Sequence, residues 1–245
     1  MLKSIIRGAF ALRNLDVSRR PKPLLEYPKA TIEPAFDLIL CHYLIHSQQP
    51  YFLQIGAFNG IDGDPLHQYV KRGLLKGCLV EPQPEPFEQL RLNYTGVEGL
   101  AFRRAAIGPR SGTQTMWRVR PGTVGPSWLH QIASFRREVL LEHSNDIPGL
   151  EDAIVGEEVP TITFDELYAE LWTVPDIVVI DTEGYDYEII KLLNLPVRKP
   201  RIIHYEHKHL SIDDRDSLLR LLISHEYRIA VKGYDTTAYL PPTRV

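Results

Sequence analysis

Short apolar runs alternate with segments that can open helices along most of the chain. Residues 51–55, 77–80 and 175–181 are apolar runs without polar alternation, and each ends in turn residues, a pattern typical of strands buried on both faces of a parallel sheet. Residues 65–72 and 84–93 begin with proline, which suits the first turn of a helix. Alternating strands and helices predict an α/β fold with a parallel sheet.

The flanking segments extend this pattern. Apolar spacing over residues 33–46 predicts a helix that leads into the first strand, and further strands are expected at 100–106 and 200–207. Near the C-terminus, the β-rich segments 227–231 and 236–240 are separated by Lys-Gly-Tyr-Asp. This arrangement predicts an antiparallel hairpin.

Residues 117–158 form the least regular part of the chain, with prolines and glycines around a predicted helical stretch at 129–143. A long insertion between sheet elements is usually a functional lid or a disordered segment. Because it contains Trp117, Trp128, Phe135 and an apolar helical face, we expect an ordered lid over the active site, with the two tryptophans stacked on a substrate.

Composition limits the class of protein. A chain of 245 residues with 44% hydrophobic content can bury a single core, and we expect an N-terminal extension and helix (1–48) followed by one catalytic domain (49–245). A net charge of −3 argues against nucleic acid as a partner. Cys41 and Cys78 lie in apolar segments without metal-ligand spacing, so we interpret them as small buried hydrophobes in a reducing cytoplasm.

The first 23 residues are basic, with six Lys or Arg against Asp16 alone. This charge permits binding to a membrane surface. The apolar run at 9–12 is too short for a signal-peptide core or a membrane span, so no transmembrane segment is predicted. We expect an extension that packs on the domain or stays mobile.

The segment 51–63 carries the first chemical signal. A strand ending at Ile55 points its last backbone groups at a ligand, and Gly56 and Gly60 let the chain turn tightly beside it. A dinucleotide fingerprint would need glycine where Phe58 and Ile61 stand. The spacing instead looks like the first motif of methyltransferases that use S-adenosylmethionine (SAM).

Acidic residues follow the other strands. Glu81 stands 25 residues beyond Gly56 at the tip of the second strand, where a carboxylate binds the ribose hydroxyls of a nucleotide; the alternative is a solvated carboxylate before a proline turn. Asp181 ends the strand at 175–181 and Glu183 follows it, so both lie at the carboxyl edge of the sheet, where ligands of open α/β sheets bind.

Five segments together resemble the FkbM family of SAM-dependent methyltransferases: QIGAFNGIDGD (54–64), LVEPQPEPFEQL (79–90), RAAIG (104–108), IDTEGYDYEII (180–190) and IIHYEH (202–207). The resemblance runs from about Tyr51 to Tyr239. It implies a class I methyltransferase (Rossmann-like) fold, a mixed seven-stranded sheet with helices on both faces and a reversed last strand. It also implies O-methylation of a hydroxyl on a sugar or other secondary metabolite, with a small-molecule or glycan acceptor.

The resemblance and the motif positions define an expected SAM site, with the adenine beside residues 104–108. Gln54 stands where the family usually carries an acid, so it can hydrogen-bond the methionine end of SAM but cannot form an ion pair with its ammonium. The expected cofactor-binding residues are Gln54, Gly56, Ala57, Asn59, Gly60, Asp64, Glu81, Pro82, Gln83, Ala105, Ala106, Asp181 and Glu183.

Methyl transfer requires the acceptor oxygen to be held in line with the methyl group and its proton to be removed. The candidates are Asp181, Glu206 and His207, followed by His204; Asp181 has the alternative of a turn or capping residue, and the histidines of structural roles. Within a strand, His204 and Glu206 share one face while Tyr205 and His207 take the other.

The same residues permit three alternative interpretations. Asp181, Glu206 and His207 offer ligands that suit Mg²⁺ or Mn²⁺, but their spacing is not a recognised metal motif, so no metal is predicted. A dinucleotide-dependent oxidoreductase is disfavoured by Phe58 and Ile61. A non-catalytic SAM-binding protein is consistent with Gln54, whereas the retained carboxylates favour an enzyme.

Overall fold

The computed structural model describes residues 36–47 and 50–241, so the predicted basic extension lies outside the described residues. The strands are β1 (Tyr51–Ile55), β2 (Lys76–Val80), β3 (Leu100–Arg103), β4 (Ala106–Ile107), β5 (Gly112–Val119), β6 (Ala133–Ser134), β7 (Ile154–Ile162), β8 (Ile177–Ile180), β9 (Ile202–Glu206), β10 (Arg228–Lys232) and β11 (Asp235–Tyr239). The helices are α1 (Phe36–His46), α2 (His67–Lys71), α3 (Pro84–Asn93), α4 (Arg137–Leu141), α5 (Leu150–Ala153), α6 (Phe164–Glu170), α7 (Asp186–Leu192) and α8 (Ile212–Ser224).

Seven strands form the main sheet in the order β10-β11-β9-β8-β1-β2-β3. Neighbours from β9 to β3 run parallel, whereas β11 is antiparallel to both β9 and β10. The predicted C-terminal hairpin and reversed last strand are therefore confirmed. Because β1, β2 and β8 are parallel neighbours, their carboxyl ends meet at one edge of the sheet.

Helices cover both faces of this sheet and bury a separate apolar core on each. On one face, Leu53 and Ile180 pack with apolar residues of α6, α7 and α8. On the other, Phe52 and Val179 pack with residues of α1, α2 and α3. Burial on both sides explains why the central strands show no polar alternation. Within the described residues, no helix is long and apolar enough to span a membrane.

A second sheet has the order β4-β7-β5-β6, and its centre is a long antiparallel ladder from Gly112–Thr161 to Val119–Ile154. Both ends of the predicted insertion lie in this ladder. The helix predicted at 129–143 is wrong. Ala133 and Ser134 pair with Arg118 and Trp117, and this strand pairing separates a 3₁₀ turn at Ser127–His130 from the short α4.

Two smaller expectations also change. The strand predicted at 100–106 ends at Arg103, and Ala106–Ile107 joins the second sheet beside Thr161–Ile162. The chain thus crosses between the sheets at residues 104–105. Cys78 is buried as expected, whereas Cys41 is exposed on α1; both are free thiols.

Candidate active site

A cleft that is partly open to solvent lies at the carboxyl edge of β1, β2, β8 and β9. The second sheet and its connections supply the opposite wall. Of the expected cofactor residues, the cleft is lined by Gln54, Gly56, Ala57, Asp64, Glu81, Pro82, Gln83, Ala105, Ala106, Asp181 and Glu183. Asn59 and Gly60 lie outside this lining.

The turn after β1 requires glycine both for its backbone conformation and for a close contact with β8. Gly56 has φ +79°, and a Cβ there would lie 1.7 Å from the backbone oxygen of Asp181. The backbone N–H groups of Gly56 and Ala57 both donate to the Val80 carbonyl. The close approach of β1 and β8 thus excludes a side chain at Gly56.

Asn59 and Gly60 shape the loop instead of lining the cleft. The Asn59 Oδ1 accepts hydrogen bonds from the backbone N–H groups of Ile61 and Asp62, both at 3.0 Å. The Gly60 carbonyl accepts a hydrogen bond from the Tyr94 hydroxyl at 2.9 Å, and a Cβ on Gly60 would lie 2.5 Å from that ring. These two positions hold the loop against α3.

Glu81 is buried and connects the first two motifs. One carboxylate oxygen accepts from the Phe58 N–H and the other from the Gln83 N–H, both at 2.9 Å. Burial raises the pKa of Glu81 to about 7, although these hydrogen bonds oppose the shift. The alternative of a solvated carboxylate is therefore wrong.

Gln54 and Asp64 form a polar corner at the end of β1. Gln54 is 3% exposed, and among the described residues its Oε1 has no hydrogen-bond partner. Its side chain hydrogen-bonds Asp64, whose pKa is raised by burial. Asp64 Oδ1 accepts from the Leu66 N–H at 2.7 Å, so Asp64 also begins the turn into α2. Asp64 supplies a carboxylate beside the position where Gln54 lacks one.

Asp181 follows β8 at the floor of the cleft. Asp181 is exposed, and it lines the cleft. Its pKa is raised well above the ordinary range, first by loss of solvation and then by the charges of Glu183, Asp186 and Glu206. Asp186 is fully buried and accepts a hydrogen bond from Thr182 at 3.0 Å.

Glu183 and Glu206 face the same cleft. Glu183 has a left-handed backbone (φ +50°), and its carbonyl accepts a 2.7 Å hydrogen bond from Ser134 of the second sheet. Burial and then the charge of Glu183 raise the pKa of Glu206 to about 7. The connection through Ser134 ties the insertion to the end of β8.

The two predicted histidines take different positions. His204 lines the cleft on the same face as Glu206, as expected from strand alternation, and it stacks on Phe36 at 4.3 Å. His207 is not part of the cleft lining; its Nδ1 lies 2.9 Å from Thr236 Oγ1. Burial lowers the pKa of both rings to about 4. The structure therefore does not bring His207 together with Asp181 and Glu206.

His209 is the histidine that the sequence analysis missed. It is buried, its Nδ1 lies 2.8 Å from Glu142, and its Nε2 lies 3.3 Å from Glu183. The only sequence signal is the histidine-rich run at 204–209, and no spacing rule selects one member of that run.

The aromatic side chains that line the cleft also differ from the predicted tryptophans. Trp117 packs in the apolar core of the insertion, with the Arg137 guanidinium 5.6 Å from its ring, and Trp128 is 38% exposed beside His143. Neither contributes to the lining described for the cleft. Phe135 and Tyr185 line it instead, with ring centroids 5.2 Å apart.

Comparison with known proteins identifies the family. Residues 54–229 match the Methyltransferase FkbM domain, so the chain belongs to the FkbM methyltransferase family. No curated protein sequence matches the chain.

Solved structures show distant similarity. Methyltransferase FkbM from Methylobacillus flagellatus has 13% identity and a TM-score of 0.49 over 78% of this chain, which spans 43% of that protein. Precorrin-6y C5,15-methyltransferase from Geobacter metallireducens has 15% identity and a TM-score of 0.41, covering 83% of this chain and 86% of that one. A human methyltransferase 10 domain containing protein has 11% identity and a TM-score of 0.40, covering 97% and 93%.

The strand order and the family define a class I methyltransferase fold and imply a SAM-type methyl donor. The residues of the cleft fit such a donor. A buried carboxylate, Glu81, lies at the tip of β2, and the unpaired Gln54 Oε1 and the Asp64 carboxylate lie at the end of β1.

Proposed function

We propose that this protein is a SAM-dependent O-methyltransferase that acts on a hydroxyl of a sugar or another secondary metabolite. The observation that carries the proposal is a single cleft that contains Glu81 at the end of β2 and two further carboxylates, Asp181 and Glu206, after β8 and within β9. When bound, SAM supplies the electrophilic methyl group.

The cofactor residues have distinct roles in this proposal. The Glu81 carboxylate accepts hydrogen bonds from the ribose hydroxyls. Gln54 and Asp64 bind the ammonium of the methionine end, and Asp64 provides the charge that Gln54 lacks. The small side chains of Ala105 and Ala106, which are buried where the chain crosses between the sheets, leave room for the flat adenine ring.

Asp181 and Glu206 act on the acceptor. Asp181 takes the acceptor proton, because it is exposed to the cleft and its raised pKa makes it a stronger base than an ordinary aspartate. Glu206 faces the cleft from the next strand and orients the hydroxyl. Phe135 and Tyr185 provide apolar ring faces and edges that suit a sugar or polyketide.

The test is methyl transfer to a panel of hydroxyl-bearing acceptors, measured by release of S-adenosylhomocysteine (SAH) and by the mass of the product. Asp181→Asn should lower turnover by about 10²–10⁴-fold with SAH affinity changed much less. Asp213→Asn, on the exposed first turn of α8, is the matched control and should leave turnover unchanged. Full turnover in Asp181→Asn would contradict the base assignment.

Binding measurements with SAH and NAD, together with the transfer assay, separate the alternative functions. SAH binding without transfer to any acceptor would favour a non-catalytic SAM-binding protein. Binding of NAD in preference to SAH would favour the oxidoreductase.

A further inference from the structure

Three potential ligand atoms converge beside the cleft, one each from Glu183, Glu206 and His209, and all lie within 4.8 Å of one another. Oxygen and nitrogen ligands bound at about 2.1 Å to one ion are separated by about 3 to 4.2 Å in octahedral geometry. The spacing of the three atoms is therefore close to that of ligands sharing a cation.

The orientation of His209 supports this interpretation. Its Nδ1 lies 2.8 Å from Oε2 of Glu142, which is exposed at the end of α4. A carboxylate at this distance holds the ring N–H on Nδ1 and leaves the Nε2 lone pair facing Glu183 and Glu206. Histidine ligands of metals usually have such a carboxylate or carbonyl partner on the second ring nitrogen.

Two of the three converging atoms have no hydrogen-bond partner among the described residues. His209 is 8% exposed, and within the described residues neither its Nε2 nor the buried Glu206 Oε2 has a hydrogen-bond partner. The 3.3 Å contact from Nε2 to Glu183 does not meet hydrogen-bond geometry. Buried acceptors that face one another are costly unless a positive charge lies between them.

Two kinds of occupant supply a positive charge at this position, a second proton on His209 or a cation. Burial opposes the protonated ring, but the carboxylates of Glu183 and Glu142 outweigh it, so the pKa of His209 is raised. A proton on Nε2 would leave the Glu206 Oε2 without a partner among the described residues, whereas a cation satisfies all three groups.

We propose that Glu183, Glu206 and His209 bind a divalent cation of the Mn²⁺ type, with Glu142 as a positioning residue that orients His209. Two hard carboxylates and one imidazole suit Mn²⁺. This set differs from the one considered from sequence, since His209 replaces His207 and Glu183 replaces Asp181. Its use in catalysis rests on the proposed function. A bound cation would act there as a Lewis acid on the acceptor oxygen and lower the pKa of the hydroxyl that Asp181 deprotonates, and Glu206 would orient this hydroxyl through the cation.

The experiment is a titration of the full chain with Mn²⁺, in which free Mn²⁺ is measured by electron paramagnetic resonance without any acceptor. We expect one saturable site in the wild type. Glu183→Gln, Glu206→Gln and His209→Gln should each weaken binding at least about tenfold, and Glu142→Gln about 10- to 100-fold. Glu226→Gln removes an exposed carboxylate that pairs with Lys199, and should bind like the wild type.

SAH binding and thermal melting report folding of each variant, and the exposed Glu142 allows a test that does not disturb the core. Wild type that binds SAH but not Mn²⁺ would overturn the proposal and leave a protonated His209 in the site. Unchanged Mn²⁺ affinity in all four site variants would also overturn it. Mn²⁺ binding without methyl transfer would keep the site and reject the proposed function; methyl transfer unaffected by EDTA, without Mn²⁺ binding, would do the reverse.

Discussion

A Cβ atom on Gly56 would lie 1.7 Å from the carbonyl oxygen of Asp181. The glycine of the first motif and the aspartate of the proposed catalytic pair are therefore coupled through the backbone, because the β1 turn can approach the end of β8 only without a side chain. A side chain at Gly56 would therefore disturb both the fold and the position of Asp181.

Gly56→Ala should destabilise the fold by more than about 4 kcal/mol, since it adds both a clash and left-handed backbone strain. The matched control is Gly96→Ala, which has φ +77° and no atoms within 4 Å of the added Cβ, so it should cost only about 1–2 kcal/mol. Urea unfolding measures both. Equal stability of the two variants would show that the turn can move away from Asp181.

Glu81→Gln should weaken SAH binding by roughly ten- to a hundredfold, because charge-assisted hydrogen bonds to the ribose contribute about 1.5–3 kcal/mol. Calorimetry measures the affinity. Glu85→Gln, in the same turn but exposed and paired with Arg118, should bind SAH normally. Wild-type affinity in a folded Glu81→Gln variant would remove Glu81 from the ribose site.

Glu81 also predicts a pH dependence of stability. Its folded pKa of about 7 lies above the ordinary value of 4.5, so its contribution to stability is present below pH 4.5 and is lost as the pH rises through 7. Relative to Glu81→Gln, the wild type should lose up to about 3 kcal/mol over this range. Denaturant unfolding of both proteins at pH 5 and pH 8 measures the difference. Parallel pH curves would show that Glu81 titrates normally.

Asp64→Asn tests the binding of the methionine end. Asparagine keeps the cap of the turn before α2, but removes the charge beside Gln54. SAH affinity should fall about tenfold, whereas methylthioadenosine, which lacks the ammonium and carboxylate, should bind as it does to the wild type. An equal loss for both ligands would indicate that Asp64 only supports the loop.

The aromatic side chains that line the cleft predict a split between cofactor and acceptor. Phe135→Ala should raise the acceptor KM by about ten- to a hundredfold, because burying an aromatic face contributes roughly 1.5–3 kcal/mol, while SAH affinity changes less. Trp128→Ala, at the exposed tryptophan near His143, should leave KM unchanged. Steady-state kinetics with an acceptor that the wild type methylates distinguishes the two variants. The opposite ranking would indicate that Trp128 contacts the substrate.

Local sequence patterns predicted most of the fold. The apolar runs at β1, β2 and β8, the proline-initiated α3 and the C-terminal hairpin are all present, because burial on both faces and turn chemistry leave a strong local signal. The same is true of Glu81 and Asp181, since residues that directly follow parallel strands lie at one edge of the sheet. Local pattern failed at residues 129–143, where the pairing of Ala133 and Ser134 with β5 interrupts the predicted helical stretch.

The sequence by itself determined the strands of the main sheet, helices α1 to α3, the glycine turn and the carboxylates that follow β2 and β8, because these depend on neighbours within a few residues. It did not predict the second sheet. Only the tertiary structure decided that Gly56 faces the Asp181 backbone, that Phe135 rather than Trp128 lines the cleft, and that Glu142 orients His209 across 67 residues of chain. The Gly56 contact arises between the ends of two neighbouring strands of the main sheet, and the other two arise where the second sheet and its connections meet the main sheet. No local periodicity encodes which groups meet at either place.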